Sequence, residues 1–209
     1  MEKLKSQFGI RGKLFNHLAD FLKERKARIK LDLNKGDWKD STSGSSAGTV
    51  LGPILFVAYV KDIPNTIKPK FADDVSAIAI GDTDKEVEDE CQRNIDLLQE
   101  WCQKNGMKLN QLKTKVINFS EGVKGNINVF INNHKLEMSK VIKYLGVFVD
   151  ENLDFNSQVQ SASGKARSAQ NKINILLRGR RGIPLDIAIN LYKALLRSHW
   201  EQAIAAWSV

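Results

Sequence analysis

The sequence predicts an α+β fold in which helices and short antiparallel hairpins alternate to about residue 150, followed by helices alone. Three observations carry that reading. Apolar residues recur at helical spacing over residues 12–26 and 84–105. Short runs of strand-like composition, several alternating and each bounded by turn residues, lie outside those segments, at 29–33, 70–80, 127–138 and 141–149. From Asn156 onward the pattern is purely helical. The expected division is therefore a mixed part, residues 1–150, and a helical part, residues 151–209.

Taken in order, Leu14, Phe15, Leu18, Phe21 and Leu22 share one face of the first helix, and the basic cluster 23–28 suits its C-terminal end. Ile29-Lys30-Leu31-Asp32-Leu33 alternates and reads as a strand with one wet face. Residues 34–49 are rich in Gly, Ser, Asp and Thr and read as a loop. Pro53 opens a helix that is apolar on nearly every side and so reads as buried. The Gly/Ser-rich segment leading into it, with Gly48 and Thr49, offers backbone N–H groups to a phosphate, or is simply a loop before a core helix.

Thr83-Asp84-Lys85-Glu86 is a capping box, and the helix behind it carries Val87, Cys91, Asn94 or Ile95, Leu98, Trp101 and Cys102 on one face. Gly106 ends it. Residues 107–119 read as short strands around Gln111, and Asn132-Asn133 as a hairpin turn. Residues 141–149 read as one strand. Val159, Ala162, Ala166, Ala169, Ile173 and Leu176 or Leu177 line the next helix, Arg178 to Gly182 break it, and Pro184 opens a last helix to about residue 206.

Charge is uneven along the chain. The net charge is +8, but residues 71–100 hold ten acids against two basic residues, and residues 164–200 hold eight Lys/Arg against Asp186 alone. Such a distribution fits a metal in one place and a phosphate backbone in another, or two solvated helix faces. Cys91 and Cys102 lie about 16 Å apart along one helix, too far to bridge, so both read as free thiols. His17, His134 and His199 make no zinc spacing with them. The first residues lack the apolar core of a signal peptide, and no apolar run spans a bilayer. The chain is expected to be intracellular, cytoplasmic or nuclear, with no membrane partner.

Phe71-Ala72-Asp73-Asp74 concentrates the chemistry. Adjacent aspartates between β-prone runs suggest a tight hairpin holding two carboxylates side by side, which repel unless a cation joins them. Mg²⁺, or Mn²⁺ in its place, suits that set, because Mg²⁺ takes one or two carboxylates plus substrate phosphates. Phe71 is expected to anchor the hairpin in the core. The bland alternative is a solvated turn.

In register, these segments resemble one family. The stretch Ser43-Gly44-Ser45-Ser46-Ala47-Gly48-Thr49-Val50-Leu51-Gly52-Pro53-Ile54-Leu55-Phe56 resembles the primer-and-template box of LINE-type (non-LTR), jockey-like retrotransposon reverse transcriptases. Phe71-Ala72-Asp73-Asp74 is similar to their catalytic metal hairpin. Trp101 to Gly106, with Leu109, Asn110, Lys113 and Thr114, is similar to the next motif, and Lys143-Tyr144-Leu145-Gly146-Val147 to the primer grip. Leu195-Leu196-Arg197-Ser198 to Trp207 resembles the thumb and connecting helices.

The resemblance implies a partial right hand: an antiparallel palm sheet with helices over residues 1–150 and a helical thumb or connection over 151–209. It implies RNA-directed DNA synthesis by two-metal nucleotidyl transfer, with RNA template, DNA primer and deoxynucleoside triphosphates as partners. Asp73 and Asp74 would be the catalytic metal ligands. Lys113 would protonate the leaving pyrophosphate, or else be a structural lysine. Gly48, Thr49, Tyr144, Leu145, Gly146, Arg178, Arg180 and Arg181 would contact nucleic acid.

Two departures shape the expectation. The family carries a further aspartate on a palm strand before the helix that starts near Gly12, and Asp20, Asp32, Asp37 and Asp40 sit in other contexts. The family's Gly-Val-Pro-Gln-Gly box is here Gly44-Ser45-Ser46-Ala47-Gly48. The chain is thus expected to be a truncated copy, lacking the fingers and inactive alone. The alternative is a non-catalytic RNA- or DNA-binding remnant that uses the basic thumb.

Overall fold

The computed structural model describes residues 1–41, 44, 48–120, 125–178, 182–202 and 204–207. Helices α1 (Glu2–Ser6) and α2 (Gly12–Leu22) come first, followed by the two-residue strands β1 (Lys26–Ala27), β2 (Lys30–Leu31), β3 (Asn34–Lys35) and β4 (Lys39–Asp40). Next are α3 (Leu51–Val60), β5 (Lys70–Phe71), β6 (Asp74–Val75) and the long α4 (Asp84–Lys104). Strands β7 (Lys115–Val116), β8 (Phe130–Ile131), β9 (His134–Lys135), β10 (Glu137–Met138), β11 (Val141–Tyr144) and β12 (Val147–Asp150) follow. The C-terminal part is helical: α5 (Asn156–Leu177), α6 (Leu185–Leu191), a π-helical turn (Tyr192–Arg197), α7 (Ser198–Glu201) and α8 (Ile204–Trp207).

The fold is α+β, with antiparallel hairpins followed by helices, as the sequence predicts. Among the described residues the strands pair two by two instead of forming one broad sheet, and β7 with β10 is a parallel pair. Two compact units result: Met1–Ile78 with Asp96–Gly106, and Ala79–Ile95 with Met107–Val209.

In the first unit, Leu4, Leu18, Ile63, Ile67, Leu98 and Trp101 are buried. A polar knot accompanies them. The Lys3 ammonium donates to Asp62 Oδ1 at 2.7 Å and to the Tyr59 carbonyl at 3.0 Å, 4.9 Å from the centre of the Trp101 ring. Trp101 Nε1 donates to the same Asp62 oxygen at 3.0 Å, and Gln7 Nε2 to Oδ2 at 3.2 Å. Burial pushes the Asp62 carboxyl up, but the bonds from Lys3, Gln7 and Trp101 and the Lys3 charge more than reverse it, leaving it below the ordinary value.

A depressed carboxyl contributes stability that is present above its unfolded pKa, about 3.9, and is lost as pH falls through its folded value. Asp62→Asn is therefore expected to cost about 1–2 kcal/mol near neutrality, a small sum because the pair is only half-buried. Urea midpoints of wild type and variant should converge as the pH falls below the ordinary carboxylate range. A gap that persists in acid would mean that packing, not charge, sets the loss.

In the second unit Ile127, Val129, Ile131 and Leu136 form a buried cluster, against which Val87, Cys91, Ile95, Leu109 and Val116 pack. The N-terminal turns of α4 are fixed as the capping box predicts. Thr83 Oγ1 accepts the Glu86 N–H, and the Glu86 carboxylate returns to a backbone N–H, that of Asp82. Gly106, at φ +64°, follows the end of α4. Asn132 and Asn133, both at positive φ, make the predicted turn between β8 and β9. Ala162, Ala166, Ala169 and Ile173 are buried on α5, which packs on β12, and buried Gln158 accepts the Phe148 N–H at 3.0 Å.

Several local expectations change. Residues 34–49, read as a loop, carry β3 and β4, which pair with β2 and β1, and of residues 107–119 only Lys115 and Val116 lie in a strand. Residues 29–33 do not form one strand, because Asp32 at φ +51° turns the chain between β2 and β3 and leaves Leu33 95% exposed. Helix α3 forms, but Val50, Ile54 and Val57 face outward, so it is not buried all round. Residues 141–149 form a hairpin, with Leu145 and Gly146 at positive φ in its turn. The last helix is broken into α6, the π-helical turn, α7 and α8.

Candidate functional site

Strands β5 and β6 pair Lys70 with Val75 and Phe71 with Asp74, so Ala72 and Asp73 form a two-residue turn. Ala72 stands at φ +52°, where such a turn usually takes glycine. Cross-strand partners share a face, so Phe71 lies on the side of Asp74 and is 63% exposed; it does not anchor the hairpin in the core. The root is held otherwise. The Ser76 N–H and hydroxyl both donate to the Pro69 carbonyl at 3.1 Å, and the Lys70 ammonium donates to the Ile63 carbonyl at 2.9 Å. Burial first, then the Lys68 charge, lowers the Lys70 pKa, with Asp62 opposing.

Asp73 and Asp74 are both exposed, on adjacent positions of this tip. As donors they fit Mg²⁺ bound by one or two carboxylates with substrate phosphates completing the shell. They do not make a closed metal cage: among the described residues no group of three or more His, Cys, Asp or Glu is placed to hold an ion. Burial raises the pKa of the Cys91 and Cys102 thiols, with Glu90 adding to the rise at Cys91, so neither has the low pKa of a nucleophile.

The remaining predicted residues divide between the units. Gly48, at φ +77°, and Thr49 precede α3, and Thr49 Oγ1 accepts the Gly52 N–H at 3.2 Å, so this hydroxyl already fastens the helix start. Ser45, Ser46 and Ala47 lie outside the described residues. Lys113 belongs to the second unit, exposed in a turn where its N–H donates to the Asn110 carbonyl at 3.1 Å. Tyr144, Leu145 and Gly146 form the tip of the β11–β12 hairpin in the same unit, with Leu145 exposed. Arg178 is exposed and caps α5, its N–H donating to the Asn174 carbonyl at 3.0 Å; Arg180 and Arg181 lie outside the described residues. The Asp62 knot escapes a reading of the sequence, because its partners stand 39 to 59 residues away along the chain.

Residues 3–149 match the family described as reverse transcriptase (RNA-dependent DNA polymerase). Among curated proteins, the chain is similar to the RNA-directed DNA polymerase from mobile element jockey of Drosophila funebris, 27% identical over 94% of this chain and 23% of that protein. The Drosophila melanogaster jockey polymerase is 23% identical over 88% of this chain and 21% of its own length. The Pol polyprotein of type-1 retrotransposable element R1 2 from Nasonia vitripennis is 27% identical over 67% of this chain and 37% of its own length. The chain thus spans less than a quarter of the jockey polymerases it matches. No solved structure matches it. With the motifs in register and the family match covering most of its length, the chain belongs to the reverse transcriptases, in the LINE-type, jockey-like group of non-LTR retrotransposons.

Proposed function

We propose that these 209 residues are palm (1–150) and thumb or connection (151–209) of an RNA-directed DNA polymerase, with the β5–β6 tip as part of its catalytic metal site. The observation that carries this reading is the exposed pair at this hairpin tip, Asp73 in the turn and Asp74 at the start of β6 instead of both in the turn, inside a family match that runs from residue 3 to 149. Asp73 and Asp74 would hold Mg²⁺ or Mn²⁺. The bound ions would activate the primer 3′-hydroxyl and neutralise charge on the triphosphate and leaving pyrophosphate.

The chain's own part is placement. Its carboxylates would hold the ions, and Lys113, as the family resemblance implies, would donate a proton to the leaving pyrophosphate. The start of α3 at Gly48 and Thr49 and the hairpin tip at Tyr144, Leu145 and Gly146 contact template and primer. Arg178, Arg180 and Arg181 grip the phosphate backbone. Two carboxylates at one hairpin tip are fewer than a pair of bridged ions needs, so the 209 residues alone are expected to bind a primed template without extending it. Among the described residues no helix is long and apolar enough to cross a membrane.

The test is binding of the purified chain to a labelled RNA–DNA hybrid across a salt series, followed by primer extension. Affinity should fall linearly in log–log form. Changing Arg178, Arg180 and Arg181 together to Ala should reduce the slope by about one unit for each phosphate that is no longer neutralised. An unchanged slope would remove these arginines from the interface, and absence of any hybrid binding would overturn the reading. Extension by the isolated chain, abolished in Asp73→Asn, would show that its own acids complete the metal site.

A further inference from the structure

The loop between β12 and α5 holds a carboxylate that the polymerase reading leaves unused. Asp150, the last residue of β12, is only 7% exposed. Its Oδ1 accepts the N–H groups of Asn152 at 3.2 Å and Asp154 at 3.0 Å, while its Oδ2, fully buried, has no hydrogen-bond partner. The carboxylate of Asp154, an exposed residue, lies beside that of Asp150 and accepts the backbone and side-chain N–H groups of Asn156 at 3.0 and 2.7 Å. None of the ion pairs among the described residues involves either aspartate.

An ionised carboxylate buried with one oxygen unpaired is costly, and a second carboxylate alongside raises the cost. A cation between them relieves it. The sequence around the pair favours the cation. Asp150, Asn152 and Asp154 occupy alternate positions, the spacing of the first three ligands in a twelve-residue calcium loop. Phe155, in the sixth position, takes φ +55° and ψ +18°, the left-handed conformation that such a loop usually assigns to glycine. The twelfth position is Ser161, not the bidentate glutamate of a tight site.

We propose that this loop binds a hard divalent cation of the Ca²⁺ class, weakly, through Asp150 Oδ2 and the Asp154 carboxylate, with water in the remaining positions. The site fastens the start of α5 to the end of β12.

The experiment is a CaCl₂ titration of the ¹⁵N-labelled chain carrying Asp73→Asn and Asp74→Asn, which silences the other carboxylate pair. The amide signals of Asn152, Asp154 and Asn156 should shift saturably with a millimolar midpoint, and less with MgCl₂. Adding Asp154→Asn, a change at an exposed position that leaves the buried aspartate intact, should weaken the midpoint by about tenfold or more. CaCl₂ at ten times the parent's dissociation constant should raise the thermal midpoint by about 3 °C in the parent and by about 1 °C or less in the Asp154 variant. Absence of a saturable shift at these amides, or an identical titration with Asp154→Asn, would overturn the proposal.

Discussion

Asp73→Asn is expected to cut primer extension by about a thousandfold or more when a jockey-type polymerase carries these 209 residues in place of its matching segment. Phosphoryl transfer relies on positioning and charge stabilisation, so a missing ligand acts on the transition state itself. At about 1.4 kcal/mol per tenfold, that loss is roughly 4 kcal/mol of barrier. Asparagine keeps the size of the side chain and its capacity to sit in the turn, so the hairpin should persist. Primer binding without metal should stay at the parental level. Lys113→Ala should cost less, about a hundredfold, because it removes one proton donor and no metal ligand. Parental extension by the Asp73 variant would take this turn out of the chemistry.

Ile131→Ala is the largest effect expected on stability. Ile131 is fully buried (0% exposed) in the cluster with Ile127, Val129 and Leu136. Deleting its side chain beyond Cβ forfeits burial and leaves a cavity, about 2–5 kcal/mol together. Urea unfolding should show a lower midpoint with an unchanged slope, and amide exchange should speed up first across β8, β9 and the N-terminal half of α4. Phe71→Ala, by contrast, should fall within about 0.5 kcal/mol, since its ring faces water at the hairpin tip. Equal losses at the two sites would mean that the tip is covered in solution.

The features legible in the sequence are those fixed by neighbours along the chain. The Thr83–Glu86 capping box, the Gly106 stop and the Asn132-Asn133 turn each depend on a few adjacent residues, and each forms where the sequence places it. The Asp73-Asp74 hairpin is of the same kind, since two β-prone runs and an Asp-rich junction specify it.

What the sequence conceals depends on distant partners. Nothing near Phe71 or α3 tells whether another segment covers it, so apolar residues there read as core although they are exposed. The parallel β7–β10 pair joins residues 22 positions apart. Asp62 gains its three donors from Lys3, Gln7 and Trp101, none of them local. The turn at Leu145 is hidden because a leucine occupies a positive-φ position that composition assigns to glycine or asparagine.

Whether the β5–β6 tip binds the catalytic ion is the point on which the function turns, and Mn²⁺ reports it directly. In the ¹⁵N-labelled chain, millimolar MnCl₂ should broaden the amide signals of Ala72, Asp73, Asp74 and Val75 at a lower concentration than those of the rest of the first unit. The selective broadening should vanish when Asp73 and Asp74 are both changed to Asn. Uniform broadening across the unit, or the same local broadening in the double variant, would contradict a metal site on this turn.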